Sequence, residues 1–495
     1  MELFQHQKEG IAFLKKTKRA ILADEMGLGK TRQAIIATRE TEADTKLVIC
    51  PASLKINWKR EILAVYPQDA VFVVESGKER TIGSEYDWIV INYDMLPKYL
   101  EQLKGMIADL EIGAGIADEA HYIKGKATIR AKATLELLTA LERVYLLTGT
   151  PIMNRPIELF NMLVVAKHPL SISRTMYGKK YCGAQLKCMV TDLAAGKRFF
   201  VDPKGTFPFR QKPDRYKVMM WNDESGATHL DDLRREISPI FLRRTKKEVL
   251  DLPEKIISVE VCEIDKQWRK LYDTAWDSYV EWLSNNPDLG KNMDNILQAQ
   301  ALVELMKLKQ VCAQSKVDRV IADIENACDQ EQKVIVFTQF TEIVQMLKSG
   351  LERKIGSPVK DVVTLTGADD MQARQRSVDA FQNDPDTKVI VCNIKAGGVG
   401  LNLTAASIVM FVDMEWSPEI HAQAEDRAHR IGQQGTVSVY YYVVKDTIEE
   451  DIVELLEQKK AIIKQVTDGQ APTAGGGSLG KELLGRIAHK VGKDH

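Results

Sequence analysis

The sequence predicts an α/β protein of two lobes, each a parallel sheet with helices on both faces. Three observations carry that expectation. Short β-branched runs recur between longer helical stretches. The runs are almost continuously apolar, as strands buried on both faces must be. They also fall in two sets along 495 residues, about three times the length of a typical single domain, so two cores are expected.

The first set of strands is Arg19–Ala23, Lys46–Cys50, Trp88–Asn92 and Arg143–Leu147. The second is Lys333–Phe337, Lys388–Cys392, Ser407–Asp413 and Ser438–Val444. Between the sets, Asp265–Val320 has helical periodicity, with Trp268, Leu271, Tyr272 and Trp276 on one face and Leu302, Leu305, Met306 and Leu308 on another. Residues 174–217 differ in kind. They carry eleven Lys or Arg against three Asp, a net charge of +8, with seven aromatics interleaved. They read as a basic insertion in the first lobe at about 168–235. Asp468–Gly480 has the composition of a flexible linker. It leads to an amphipathic stretch with Leu483, Leu484, Ile487 and Val491 at helical spacing. The expected units are residues 1–250 (first lobe with its insertion), 251–467 (helical protrusion and second lobe) and 468–495 (linker and tail).

Sixty-eight basic against sixty-nine acidic residues leave a net charge of -1, which excludes a histone-like polycation. Any nucleic-acid contact must then come from local placement of charge. The apolar runs fall short of the ~18 residues that span a bilayer, and the N-terminus lacks the layout of a signal peptide. Seven scattered cysteines with no C-x-x-C pair suit reduced thiols in an intracellular protein. A bacterial or phage-infected cytoplasm, no membrane partner and a monomer are expected. Cys182, Cys188 and His168 do not have zinc spacing.

After the first strand comes Asp24-Glu25-Met26-Gly27-Leu28-Gly29-Lys30-Thr31, then a helical stretch. Gly27 and Gly29 let the backbone curl so that its N–H groups meet phosphate oxygens. Lys30 supplies charge to the β/γ-phosphates, and the Thr31 hydroxyl suits Mg²⁺. Asp24 stands where the strict pattern has its first glycine, so the string alone is also compatible with a glycine-rich turn before a helix. The adjacent carboxylates Asp118 and Glu119 remove that ambiguity. One carboxylate at a strand end can hold Mg²⁺, and its neighbour can orient or deprotonate an attacking water. The two elements together predict hydrolysis of ATP with Mg²⁺.

The strings ADEMGLGKT, ADEAHYIKG, LLTGTP (Leu146–Pro151), FLRRTKKEV (Phe241–Val249), KAGGVGLNLT (Lys395–Thr404) and QAEDRAHRIGQ (Gln423–Gln433) occur in this order. Over roughly residues 1–460 the chain resembles the Swi/Snf family, the double-stranded-DNA translocases of helicase superfamily two. Lys180-Tyr181-Cys182-Gly183-Ala184 looks most like the annealing-helicase branch. The resemblance implies two tandem RecA-like lobes. It makes Gln7 the reader of the adenine edge, although the family has Pro-Tyr where Gln5-His6 stand. It gives Gly27, Gly29, Lys30 and Thr31 the phosphate and Mg²⁺ roles, Asp118 the Mg²⁺ carboxylate and Glu119 the base. Thr148, Gly149 and Thr150 would couple the nucleotide site to DNA. Arg427 and Arg430, three apart on what reads as one helical face, would act as arginine fingers from the second lobe. His429 between them reads as a packing or hydrogen-bonding residue.

For DNA, the resemblance points to backbone amides and short polar groups around Trp58, Asn92, Tyr93, Thr338, Gln339, Lys395, Gly397 and Gly398. Trp416 either contacts the minor groove or packs under the lobe. Such groups track phosphates, so binding should be independent of sequence and dependent on salt. In the insertion, Lys197, Arg198, Phe199 and Phe200 interleave cations with aromatics, which suits single-stranded or branched DNA. Acidic neighbours in the fold could instead neutralise that charge. The expected function is an ATP-dependent translocase on double-stranded or branched DNA that does not processively unwind it. A strand-separating DNA or RNA helicase and a non-hydrolysing nucleic-acid scaffold are the alternatives.

Overall fold

A computed structural model of the chain describes residues 3–468, apart from 42–43, 76–80, 84, 125–127, 150–155, 196, 204–213, 225, 251, 285–294, 354–358 and 395–400. The strands of the first half are β1 Arg19–Leu22, β2 Thr45–Cys50, β3 Val71–Val73, β4 Trp88–Asn92, β5 Ile112–Ala117, β6 Arg143–Leu147, β7 Gln185–Asp192, β8 Lys197–Val201, β9 Tyr216–Asp223 and β10 Phe241–Leu242. Those of the second half are β11 Lys255–Cys262, β12 Val334–Thr338, β13 Asp361–Leu365, β14 Thr387–Asn393, β15 Ile408–Phe411 and β16 Val437–Val444.

One parallel sheet has the order β10-β1-β6-β5-β2-β4-β3 and a second the order β11-β16-β15-β12-β14-β13. Each is buried on both faces by alternation along its strands. In β2, Leu47 and Ile49 join one core while Val48 and Cys50 join the other. In β12, Ile335 and Phe337 face one way and Val334 and Val336 the other. Side chains that alternate across a pleat explain why these runs are apolar at every position. These are the two lobes of parallel sheet flanked by helices that the sequence predicts. The chain passes from the first sheet to the second between Leu242 and Lys255.

Five strands of the two parallel sheets are not among the apolar runs read from the sequence: β3, β5, β10, β11 and β13. The case of β5 (IGAGIA) is instructive, because glycine weakens a strand by local preference. A Cβ on Gly115 would lie 2.6 Å from Leu141 Cδ1, so close packing against that loop keeps the residue small. The helical region expected at Asp265–Val320 comprises the helices Lys266–Ser284 and Asn295–Ser315, followed by Val317–Asp329. Tyr272, Tyr279, Leu305 and Leu308 are buried there, whereas Leu271 is exposed, which corrects its assignment to the packed face.

The basic insertion carries a third sheet, antiparallel, in the order β8-β7-β9. Tyr177 and Tyr181 on the preceding helix Arg174–Tyr181 are buried in the first lobe, and Tyr181 donates to Asp232 Oδ2 at 3.1 Å. Four of its cations are ion-paired: Arg174 with Glu224, Lys180 with Asp232, Lys187 with Asp223 and Arg215 with Asp192. Its free positive charge is therefore smaller than the sequence count. The backbone of Lys197–Phe200 forms most of β8, but the side chains of Lys197, Arg198, Phe199 and Phe200 lie outside the described residues. All seven cysteines are unpaired and buried. Among the described residues no helix is long and apolar enough to cross a membrane.

Candidate active site

The site lies at the carboxyl ends of the first sheet's strands, where the loops after β1, β5 and β6 converge. Such ends are the usual binding edge of an open parallel sheet. After β1 the chain turns through Gly27 (φ 84°) and Gly29 (φ 74°) into the helix Lys30–Arg39. Both glycines are in the left-handed region, which glycine enters without a Cβ penalty. Lys30 Nζ donates to the carbonyls of Asp24 (2.7 Å) and Glu25 (3.2 Å). Burial lowers its pKa, opposed by Glu119, Asp24 and Asp118 around it. Thr31 is half-buried in the first turn of the helix.

Gln7 is buried in the helix Gln5–Lys16, and its Oε1 accepts from the Phe4 N–H at 3.1 Å. A Cβ on Gly29 would lie 2.3 Å from Gln7 Nε2, so the amide packs directly on the phosphate loop. His6 Nε2 lies 3.1 Å from the Leu28 carbonyl. His6 thus ties this helix to the loop, a contact that the sequence reading did not include, whereas Gln5 is exposed and donates to Glu9 Oε1 at 3.0 Å within its own helix.

Asp118 follows β5 in a buried position. Its Oδ2 accepts from the Trp58 indole at 2.8 Å and its Oδ1 from the Glu119 N–H at 2.9 Å, while Tyr93 donates to its carbonyl at 2.7 Å. Glu119 has φ 50°, a left-handed conformation unusual for a side-chain-bearing residue that costs on the order of 1–3 kcal/mol and clusters at functional sites. His121 Nδ1 is 3.2 Å from Glu119 Oε2. Burial would raise the Glu119 pKa, but His121, Lys30 and Arg427 outweigh it and hold the group below the usual range. Burial and then the neighbouring Glu119 push Asp118 up instead. Two adjacent carboxyls driven apart in this way mark distinct chemical roles. The donors Asp118 and Thr31 are hard oxygens, and a buried carboxylate of raised pKa gains from a nearby cation, so these residues fit Mg²⁺.

After β6, Thr148 is buried, and its N–H donates to the Leu22 carbonyl at 3.2 Å. A Cβ on Gly149 would meet Met26 Cγ at 2.6 Å and Lys30 Nζ at 3.6 Å. This segment therefore touches the phosphate loop. Thr150 lies outside the described residues.

The second lobe reaches the same place. A Cβ on Gly27 would lie 2.9 Å from Arg430 Cβ. Arg427 and Arg430 each donate to the Leu401 carbonyl at 3.4 Å. They do not share a helical face as expected, because the helix Pro418–Glu425 ends before them. Residues 426–430 form successive turns in which Asp426 and His429 are drawn into tertiary bonds, His429 Nε2 lying 2.8 Å from the Pro253 carbonyl. Burial, with Arg430 alongside, lowers the Arg427 pKa to about 10, so the guanidinium stays charged at neutral pH.

Two site residues escaped the sequence reading. Arg244 forms a two-pronged ion pair with Asp24, Nε to Oδ1 at 3.0 Å and Nη2 to Oδ2 at 2.6 Å, and also donates to Gln33 Oε1 at 3.1 Å. Asp24, in place of the first glycine of the strict phosphate-loop pattern, is thereby a fully buried anchor. Lys246 Nζ donates to Asp426 Oδ1 at 2.7 Å. Both lie in FLRRTKKEV, whose cation run was the available signal.

The DNA candidates divide. The side chains of Trp58, Asn92, Tyr93 and Thr338 are buried, so of the expected DNA contacts at these four only those made through the backbone fit this structure. Trp58 and Tyr93 brace Asp118, and Thr338 donates to Asp413 Oδ2. Gln339 is half-buried, with its Nε2 donating to Asp413 Oδ1 at 2.9 Å. Trp416 packs against the second-lobe core, with Lys309 Nζ 4.1 Å from its ring centroid. Lys395, Gly397 and Gly398 lie outside the described residues.

Residues 6–317 match the model of the SNF2-related domain, and residues 315–432 match the helicase conserved C-terminal domain. The DNA annealing helicase and endonuclease ZRANB3 of Homo sapiens is 31% identical over 95% of this chain and 41% of its own length. A Caenorhabditis elegans homologue of the SWI/SNF-related matrix-associated actin-dependent regulator of chromatin subfamily A-like protein 1 is 29% identical over 94% of this chain and 62% of its own. An uncharacterized ATP-dependent helicase of Mycoplasma genitalium is 30% identical over 94% and 42%. This chain thus spans less than two thirds of the length of these relatives. A solved SWI2/SNF2 ATPase core of Sulfolobus solfataricus in complex with dsDNA aligns at 26% identity over 99% of this chain and 97% of that one, with a TM-score of 0.40.

Proposed function

Because the chain belongs to the family of the SNF2-related domain, we propose that it is a DNA-dependent ATPase that translocates on double-stranded DNA without processively separating the strands. The observation that carries this reading is the meeting of both lobes at the phosphate loop, with Arg430 against Gly27 and the Asp118–Glu119 pair on the first-lobe side. Lys30 and the loop amides receive the phosphates of ATP. Glu119, kept ionised, takes the proton of the water that attacks the γ-phosphorus as the bond to the β-phosphate oxygen breaks. Arg427 and Arg430 spread the charge that builds on the transferring group. Mg²⁺, held by Asp118 and Thr31, would neutralise phosphate charge when bound. Closure and reopening of the lobes would move one of them along the DNA backbone in each cycle.

Fork remodelling or annealing is the finer reading. It is supported by the similarity to a DNA annealing helicase and by the basic, aromatic composition of the insertion. Phosphate release with and without duplex DNA, beside an unwinding assay on the same substrate, tests the main proposal. Duplex should stimulate hydrolysis, unwinding should be absent, and Glu119→Gln should retain ATP binding while turnover stops. Stimulation by single-stranded RNA with strand release would establish the helicase alternative instead.

A further inference from the structure

We propose that Lys246 is a positioning residue that latches segment 426–430 of the second lobe onto the phosphate loop, fixing where Arg427 and Arg430 point. The backbone before it runs beside β1 and the loop: Ala23 N–H donates to the Leu242 carbonyl at 2.7 Å and Glu25 N–H to the Arg244 carbonyl at 2.9 Å. The Lys246 N–H then donates to Glu25 Oε2 at 2.7 Å. Its main chain is therefore part of the first lobe's nucleotide edge.

The side chain crosses to the other lobe. Nζ donates to Asp426 Oδ1 at 2.7 Å and to the His429 carbonyl at 2.6 Å. These two groups bracket Arg427, and His429 immediately precedes Arg430. Gly27 marks the junction from the loop side, where a Cβ would lie 3.3 Å from Lys246 Cε and 2.9 Å from Arg430 Cβ. The far anchor is itself held: Glu425, next to Asp426, takes Lys255 Nζ at 2.7 Å and the Tyr441 hydroxyl at 2.6 Å.

Burial decides what such a pair can do. Lys246 and Asp426 side chains are 8% and 9% exposed. Arg60 and Asp379, which also bridge the lobes, are 52% and 48% exposed, and an exposed pair contributes little. A buried pair adds little net stability, because desolvation offsets the attraction, but it tolerates only narrow geometry and its best-attested use is to fix register. Here the register is that of two arginines against a phosphate loop. Misplacing such groups by about 1 Å can cost roughly 10²-fold in rate.

The inference rests on the reading of Arg427 and Arg430 given above, and its test separates the two. Duplex-stimulated ATP hydrolysis is measured for the full chain carrying Lys246→Met, Lys246→Arg, Asp426→Asn and the Lys246→Met/Asp426→Asn pair. Lys246→Met and Asp426→Asn should each lower kcat by roughly 10²-fold with KM for ATP unchanged. The double variant should be no worse than either single, and Lys246→Arg should keep most of the rate. A kcat at the wild-type level in Lys246→Met overturns the latch. So does a parallel loss of ATP affinity, which would mean mere support of the loop, or a Met variant more active than the Arg variant, which would mean packing. If Lys246→Met fails to fold, the shape-preserving Asp426→Asn gives the same measurement. Full activity in Arg427→Ala and Arg430→Ala would overturn the underlying reading, a result distinct from an active Lys246→Met beside inactive arginine variants.

Discussion

Asp24 carries a formal charge in a position with no solvent, and its partner Arg244 comes from more than two hundred residues further along the chain. A carboxylate buried this completely is tolerable only because the guanidinium meets both of its oxygens. Removing one partner of such a pair typically costs about 3–5 kcal/mol. Arg244→Ala should therefore lower the thermal midpoint measurably and weaken ATP binding with it, since Asp24 opens the loop that holds Lys30. Arg244→Lys should recover only part of the loss, because an ammonium cannot reproduce the planar fork. A calorimetric scan and a nucleotide titration on both variants check this, and an unchanged midpoint in Arg244→Ala would count against Asp24 as an anchor. Trp58 makes the same point from another side: its indole spends its one N–H on Asp118.

The elements that carry the site are ordinary; what distinguishes them is how they end. The helix Lys30–Arg39 starts on a left-handed glycine, which aims its first N–H groups at the loop's concavity. The helix Pro418–Glu425 stops short so that residues 426–430 can be shaped by contacts with the other lobe. In the insertion, β8 is an edge strand paired with β7. Ion pairs take up four neighbouring cations, so any DNA contact there must be local. Replacing Lys197, Arg198, Phe199 and Phe200 together with alanine should weaken binding to forked DNA more than to plain duplex and leave unstimulated ATPase unchanged, by analogy with stacking worth about 1–3 kcal/mol per base. Binding isotherms on the two DNAs decide it: equal losses would indicate a generic electrostatic patch, and no loss would leave a structural insertion.

At the scale of the whole molecule, hydrolysis depends on two lobes being in register. Arg427→Ala and Arg430→Ala should each reduce turnover by about 10³–10⁵-fold, the range for arginine fingers, with nucleotide affinity nearly preserved. Steady-state kinetics with and without DNA would show it, and loss of affinity equal to the loss of turnover would contradict the assignment.

The strands buried on both faces were legible in the sequence, and so were the strings of the phosphate loop, the paired carboxylates and the arginine pair, which the fold brings to one edge of the first sheet. Each is a local string whose chemistry or periodicity survives without knowledge of its neighbours. The edge strands β3 and β11 were not, and the glycine-rich strand β5 only through the carboxylates that end it, because their conformation is imposed by partners distant in the chain. The same reason hid the place of the Trp58 indole beside Asp118. Burial and pairing are properties of the folded assembly. Side-chain identity could therefore specify the residues that meet the phosphates, while only tertiary packing could decide that Arg244 neutralises Asp24 and that Lys246 reaches across to Asp426.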